Sequence, residues 1–317
     1  TNKITKIKII PNTRGEVGGA VLSAKIFPDG KAVLIPSDDD KTARIAKVYR
    51  DKYGKISKLE IIPNTILKLD GPIFSCDISP DQEFIVLGTG GQDQKVYLVR
   101  VLRDARAKDI AGLSLVSGAS LFLSGEVYCL QFSPDQDFLA VGSSDLKIRL
   151  LEPVFSDSPT KEAVGLRIIP NTEISVRDQI YACKITADKN YIIFGGEEGT
   201  VYLVKISYDS KKHIVGAALL PTAELHIGEG VDSLDIASDQ SFILAGTSDW
   251  EVNFLKPVKE PQSGVIIRLV KDEKQTLRVG GRVNCCLIFP DQKTALVGSG
   301  FDQSIRLVDI FSPSPKG

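Results

Sequence analysis

The stretch FSPDQDFLAVGSSDLKIRLL, residues 132–151, decides the fold, because its pattern returns five more times along the chain. Each copy has a turn with an aspartate, an apolar run that ends in small residues, and a second apolar run. The other copies occupy 27–46, 78–99, 185–204, 236–255 and 288–309. Aligned on the turn aspartate, successive copies lie 51 to 54 residues apart. A fixed period of this kind indicates that one structural unit is repeated.

Each copy is typical of short β-strands joined by turns, and we letter its strands a to d in chain order. Strand a precedes the aspartate turn, strands b and c are the two apolar runs, and strand d follows a polar connection. Strand d ends in Ile-Ile-Pro-Asn-Thr at 61–65 and 168–172. No segment shows sustained helical periodicity with caps. Four strands in about 50 residues make a propeller blade, so the sequence predicts an all-β, six-bladed β-propeller of four-stranded blades.

The two ends of the chain predict how the ring closes. An Ile-Ile-Pro-Asn-Thr motif at 9–13 precedes the first copy, whereas the last copy has no strand d of its own. We therefore expect an N-terminal strand, 3–13, to pair into the last blade, 283–310. On this interpretation residues 1–317 form a single propeller domain.

The copies resemble those of the WD-repeat β-propeller family over essentially the whole chain. The resemblance is carried by Phe132-Ser133-Pro134-Asp135, Leu139-Ala140-Val141-Gly142-Ser143-Ser144-Asp145 and Ile148-Arg149-Leu150-Leu151. It implies a non-catalytic scaffold or adaptor that binds protein or peptide partners. This expected function rests on analogy with other proteins of the same fold.

The chain departs from the family pattern in its two signature dipeptides. Leu151-Glu152 stands where the family has Trp-Asp, and Gly-His is missing from every copy. The family's Asp–His–Ser–Trp network is therefore not expected here. Acids that match the family's turn aspartate are present in four b–c hairpins, where we expect them to bind turn backbone: Asp93, Asp145, Asp249 and Asp302.

Composition narrows the classes of partner. The 39 Lys and Arg residues balance 40 Asp and Glu, leaving a net charge of −1 without the basic excess of a nucleic-acid binder. No apolar run is long enough for membrane insertion. The five cysteines have no Cys-x-x-Cys spacing, which favours a cytoplasmic or otherwise intracellular location. The sequence thus predicts a protein or peptide partner, not a nucleic acid or a membrane.

The sequence offers no pattern for catalysis, a metal or a cofactor. Its two histidines, His213 and His226, fall in separate parts of their copies. The glycine-rich stretch 88–93 belongs to a b–c hairpin, whereas a phosphate-binding glycine loop opens a helix. We therefore expect no enzyme activity, no metal site and no cofactor.

One position of strand a predicts charged side chains along the propeller channel. The fifth residue of this strand is polar in five copies: Lys25, Asp77, Gln131, Lys184 and Asp235. We expect Lys25 to pair with Asp77, and Lys184 with Asp235, across neighbouring blades. A small polar ligand or ion on the axis is the alternative interpretation. The third and fourth positions hold all five cysteines, which we expect to be buried.

A binding surface is predicted on the face shared by the b–c hairpins and the d–a connections. Trp250 and Phe301 occupy neighbouring hairpins, and Arg278 and Arg282 lie in the connection between them. Tryptophan, arginine and other aromatic residues are enriched at binding hot spots. Arg177 and Arg14 are expected on the same face in other sectors.

Two other functions stay open on the sequence alone. One is a small-ligand-binding or hydrolytic propeller that uses the axial channel. The other is a structural propeller module of a larger chain or assembly.

Overall fold

The computed structural model describes residues 17–158, 162–301 and 304–310, together with the backbone but not the side chains of 221–223. These residues form 26 strands in six antiparallel sheets. The only helices among them are two single 3₁₀ turns, Pro63–Thr65 and Glu273–Gln275. No helix within the described ranges has the length and hydropathy to cross a bilayer. The prediction of an all-β, six-bladed β-propeller is confirmed.

Contacts divide the chain into two compact units, and the first contains the chain up to Phe122 together with Phe155–Gly165. Blade one consists of β1 (Lys25–Ile26), β2 (Ala32–Pro36), β3 (Thr42–Arg50) and β4 (Ile56–Ile61), with β5 (Leu67–Lys68) added beside β3. Blade two consists of β6 (Ile73–Ile78), β7 (Phe84–Thr89), β8 (Lys95–Arg103) and β9 (Ile110–Phe122). One apolar cluster, which includes Leu34, Ile45 and Ile85, forms the core of this unit.

The second unit contains Leu123–Val154 and the chain from Leu166 onward. Blade three consists of β10 (Val127–Phe132), β11 (Leu139–Ser143), β12 (Lys147–Phe155) and β13 (Ala163–Ile168), with β14 (Ile174–Ser175) beside β12. Blade four consists of β15 (Ile180–Ile185), β16 (Tyr191–Gly196), β17 (Thr200–Tyr208) and β18 (Ile214–His226). Blade five consists of β19 (Val231–Ile236), β20 (Ile243–Thr247), β21 (Glu251–Lys259) and β22 (Ile266–Lys271), with β23 (Leu277–Arg278) beside β21.

Blade six has three described strands, β24 (Val283–Ile288), β25 (Thr294–Ser299) and β26 (Ser304–Asp309). The N-terminal strand predicted to complete it, 3–13, lies outside the described residues. Closure of the ring by that strand, and a single domain over 1–317, therefore stay predictions.

A bulge at the start of strand a recurs in blades two to six. In blade three, Val127 pairs with Ser143 and Cys129 pairs with Gly142, so the register shifts at Tyr128 between them. The same shift occurs in β6, β15, β19 and β24. A bulge redirects the side chain of its extra residue. The second residue of strand a is therefore presented differently from the buried first residue.

The Ile-Ile-Pro-Asn-Thr motif has a structural role after strand d. In blade one the buried hydroxyl of Thr65 accepts a hydrogen bond from the backbone N–H of Ile45 at 3.0 Å and donates to the carbonyl of Ile62 at 2.7 Å. In blade three the hydroxyl of Thr172 donates to the carbonyl of Ile169 at 2.7 Å. Each threonine thus satisfies backbone groups where the chain leaves strand d.

Candidate functional site

One hydrogen bond, repeated in all six blades, places the b–c hairpin beside the entry to strand a of the same blade. A backbone N–H of the hairpin donates to the carbonyl of the residue directly before strand a, whose expected start in blade one is Val21. The six bonds are Asp38 to Ala20, Gly90 to Pro72, Ser144 to Glu126, Glu197 to Gln179, Ser248 to Gly230 and Gly300 to Arg282. Each blade therefore has one edge that carries both segments, which we call the hairpin edge.

Trp250 and Phe301 meet at the hairpin edges of blades five and six. Their ring centroids are 6.1 Å apart and their planes differ by 21°. Both rings are exposed, Trp250 by 41% and Phe301 by 82%. Trp250 has a φ of +77°, an uncommon conformation for a bulky residue. The backbone N–H of Val279 donates to the Trp250 carbonyl at 2.8 Å, which ties the connection between these blades to the hairpin.

The predicted arginines have different surroundings. Arg278 lies in β23, pairs with Glu251 of β21 and is exposed. Arg282 forms two hydrogen bonds with Asp232 of blade five, from Nε at 2.6 Å and from Nη2 at 2.5 Å. Arg177 is exposed just after β14. Arg14 lies outside the described residues. Arg282 is thus part of a bidentate ion pair, whereas Arg278 is presented to solvent next to the Trp250 hairpin.

Sequence reasoning missed two tyrosines at the hairpin edge of the second unit. Tyr128 and Tyr181 are the bulge residues of β10 and β15. Their rings form an edge-to-face pair with centroids 5.0 Å apart and an angle of 74°. Both are half-buried. The available signal was the second position of strand a, which reads Leu22, Phe74, Tyr128, Tyr181, Asp232 and Asn284 along the copies.

Each of these tyrosines has a glutamate beside it. The hydroxyl of Tyr128 donates to Oε2 of Glu126 at 2.5 Å. Glu197 is the charged group beside Tyr181. Burial, together with the Glu197 charge, raises the pKa of Tyr181 to about 12. Both phenols therefore stay neutral at physiological pH.

The charged residues at the fifth position of strand a pair as the repeat order indicates. Nζ of Lys25 lies 3.3 Å from Asp77, and Nζ of Lys184 lies 3.1 Å from Asp235. Asp235 also accepts the backbone N–H of Ile288 at 2.7 Å.

Gln131 has a similar role, since its Oε1 accepts the N–H of Ile185 at 2.9 Å. Both of these backbone contacts join strands a of neighbouring blades in the second unit. These polar groups are thus engaged with one another and with backbone, which is the arrangement of structural contacts. Among the described residues, no three His, Cys, Asp or Glu side chains gather as a metal site requires.

The hairpin acids are held by side chains of strand c. Asp145 binds Nη1 of Arg149 at 3.0 Å and Nη2 at 2.5 Å, and it accepts from Ser143. In blade two, Asp93 accepts the hydroxyl of Tyr97 at 2.9 Å.

The remaining hairpin acids vary in their surroundings. In blade five, Asp249 accepts from Thr247 at 2.5 Å. Asp302 lies outside the described residues. The acids that can be seen thus stabilise their hairpins without the family's histidine and tryptophan.

The prediction that all five cysteines are buried is wrong for Cys285, which is exposed, whereas the other four are buried. Cys129, at the same position of blade three, is covered by the following strand a, with its Sγ 3.9 Å from the carbonyl of Ile180. Within the second unit no blade follows blade six, so Cys285 has no such cover there. Burial raises the pKa of Cys286, the next residue, to about 12.

Comparisons with known proteins agree with this architecture. The family model "WD domain, G-beta repeat" matches residues 117–151, which contain strands a and b of blade three and the first five residues of strand c. Human WD repeat-containing protein 3 is 27% identical over 107 residues, which is 32% of this chain and 11% of that protein. The chain thus spans about a tenth of the length of this curated relative.

Two solved structures share the fold. Sqt1 from Chaetomium thermophilum, crystallised with the N-terminus of ribosomal protein L10, superimposes with a TM-score of 0.60 at 17% identity, covering 89% of this chain and 69% of Sqt1. A functionally unknown protein from Desulfotomaculum acetoxidans superimposes with a TM-score of 0.66 at 14% identity, covering 93% and 84% of the two chains. The matched family model and the curated relative support the resemblance to the WD-repeat β-propeller family, and the two solved structures share its fold.

Proposed function

We propose that this protein is a non-catalytic interaction scaffold that binds a protein or peptide partner at the hairpin edges of blades five and six. The observation that carries the proposal is the stack of Trp250 on Phe301, two large rings exposed side by side. Exposed aromatic residues that lie together are typical anchors of binding hot spots. Arg278 adds an exposed cation beside the stack.

The local backbone supports this role for the stack. Trp250 has a left-handed backbone conformation at the tip of its hairpin. This conformation is strained for a bulky residue, so a different residue type at this position would make the hairpin easier to form. Its carbonyl is fixed by Val279, so the ring is presented from a rigid turn. A rigid aromatic anchor loses little conformational entropy on binding.

The other predicted contacts follow from this placement. Arg282 would act by holding Asp232 in position rather than by offering its whole guanidinium to a partner. Arg177, and Arg14 beyond the described residues, would extend the surface into other blades. A propeller of the same fold, Sqt1, holds a ribosomal protein N-terminus, which supports a peptide segment as partner here. We propose an intracellular location on the same grounds of family and cysteine usage.

The proposal is tested by affinity capture from the native source with the whole chain as bait. Wild type is compared with a Trp250→Ala/Phe301→Ala double variant, after circular dichroism and thermal melting have shown that both are folded. Tyr53→Ala is the matched control, because Tyr53 is 74% exposed in the c–d turn at the other end of strand c in blade one. We expect a protein captured by wild type and by the control to be lost with the double variant. Capture of the same set by all three proteins would contradict the proposal.

A further inference from the structure

We propose that Tyr128, Tyr181, Glu126 and Glu197 form a binding site for a lysine or arginine side chain, so that the partner is a basic peptide segment. This inference rests on the proposed function, since it uses the hairpin edge of the same unit. It goes further by naming the chemistry of the partner and a second contact point, on blades three and four.

The tyrosine pair supplies the aromatic part of the site. The bulges of β10 and β15 place both residues at the start of strand a, beside the b–c hairpins. In their edge-to-face arrangement, the ring that contributes its edge keeps both of its faces clear of the other ring. Aromatic faces attract ammonium and guanidinium groups. A cationic side chain over this pair would gain both apolar and electrostatic contact.

The glutamates supply the charge. Glu126 accepts the Tyr128 hydroxyl, and Glu197 accepts Nε2 of Gln179 at 2.6 Å. A carboxylate has about four acceptor sites on its two oxygens, so Glu197 can accept an incoming N–H group in addition to that of Gln179. Glu197 is exposed and Glu126 is half-buried. A charged hydrogen bond to lysine or arginine is therefore available at Glu197, and Glu126 adds a carboxylate beside Tyr128.

The next blades keep the site anionic. Asp232 holds the same bulge position in β19 that Tyr181 holds in β15, and these strands are neighbours, so the Arg282–Asp232 pair lies next to the site. That pair neutralises itself through its two hydrogen bonds. Three carboxylates and one guanidinium leave the patch formed by Glu126, Glu197, Asp232 and Arg282 with a net charge of −2. Charge complementarity therefore selects a cationic segment and disfavours an acidic one.

The arrangement favours an organic cation rather than a bare metal ion. The described residues hold no cluster of three metal-ligating side chains, whereas hard cations need a larger set of oxygen ligands. Aromatic rings contribute to a guanidinium or ammonium site but not to an oxygen-ligand cage. A segment that places one basic residue here would run from blades three and four toward the Trp250–Phe301 stack.

The test is a titration followed by nuclear magnetic resonance on the whole chain with ¹³C-labelled tyrosine rings. The probe is an acetylated and amidated peptide in which arginine alternates with serine, and the control probe has glutamate in place of each arginine. Tyr128→Phe and Tyr181→Phe assign the two signals. We expect saturable shifts of both signals with the arginine peptide and none with the glutamate peptide.

A charge-matched pair of variants decides whether the site or the overall charge is responsible. Glu126→Gln/Glu197→Gln should raise the dissociation constant about tenfold. Glu162→Gln/Glu260→Gln removes two exposed carboxylates in c–d connections and should leave it unchanged. Absence of saturable shifts, or equal weakening in both pairs, would overturn the inference. Loss of captured protein with the Trp250/Phe301 variant would then still support the proposed function, so the two failures are distinguishable.

Discussion

Replacing Arg149 with methionine should strongly destabilise blade three. Arg149 lies in strand c, and only 3% of its surface is exposed. Its guanidinium binds Asp145 through Nη1 and Nη2, Ser143 through Nη1 at 3.1 Å, and Glu173 through Nε at 2.7 Å. Methionine has a similar length and no charge. The substitution therefore removes the cation while filling much of its volume.

The magnitude follows from what remains after the change. Asp145 keeps only 12% of its side chain exposed, so it becomes a mostly buried carboxylate without its counter-ion. Removing one partner of a buried ion pair costs about 3 to 5 kcal/mol. We take about 3 kcal/mol for Arg149→Met, because Ser143 still donates to Asp145 and Glu173 is partly exposed. Replacing both partners, as Arg149→Met/Asp145→Asn, should recover part of this loss.

The assay is equilibrium unfolding in urea, followed by far-ultraviolet circular dichroism. Arg167→Met is the matched control, because Arg167 forms an exposed ion pair with Glu152 at 2.6 Å in the same blade. Exposed pairs contribute about 1 kcal/mol or less. A loss for Arg149→Met no greater than that for Arg167→Met would refute the reasoning, as would a double-mutant cycle without coupling between Arg149 and Asp145.

Three further predictions concern packing, thiol reactivity and pH. Gly142→Ala should cost about 1 to 3 kcal/mol of unfolding free energy, since its Cβ would lie 2.2 Å from Cγ2 of Ile180, whereas Gly298→Ala, whose nearest contact is 3.6 Å away, should be nearly neutral in the same urea assay. Ellman's reagent should modify one thiol in the native protein and none in Cys285→Ser, because the other four are buried; rapid reaction of two thiols would contradict this. Hydrogen bonds from Lys147 and then Arg149 lower the pKa of Glu173 below its ordinary 4.5, so its carboxylate stabilises the fold above that pH, and the contribution is lost as the pH falls through the lowered value. Glu173→Gln should thus cost about 1 kcal/mol at neutral pH, and its difference from wild type should disappear in acid; a difference independent of pH would exclude this role for the charge.

The fold could be predicted because the residues that make the repeated contacts of a blade recur at the same positions in each sequence copy. The turn aspartates, the small residues that end strand b and the Ile-Ile-Pro-Asn-Thr motif each recur at one place in the blade, and each has a local physical role. Thr65 is an example, since its hydroxyl completes backbone hydrogen bonds at the end of strand d. The pairing of Lys184 with Asp235 follows from the same order, because neighbouring copies become neighbouring blades.

The candidate site could be predicted only in part. The hairpin positions of Trp250 and Phe301 place them on one edge. Their stacking, however, depends on side-chain geometry that the sequence pattern does not specify. The engagement of Arg282 by Asp232 joins two blades through residues 50 positions apart. The exposure of Cys285 depends on which strand follows it in space. Each of these features arises between copies, where the repeat gives no constraint.

The bulge in strand a explains how this scaffold separates folding from recognition. The first residue of the strand is fully buried in blades two to six and is always isoleucine or valine: Ile73, Val127, Ile180, Val231 and Val283. The second residue differs in chemistry among the copies, from the Tyr128 and Tyr181 rings to the Asp232 carboxylate. Because the bulge shifts the register at this residue, its side chain can change while the hydrogen bonds on either side remain. The positions most free to vary are therefore those of the proposed binding surface, and the search for function in such a propeller should begin at the bulged residue of each blade.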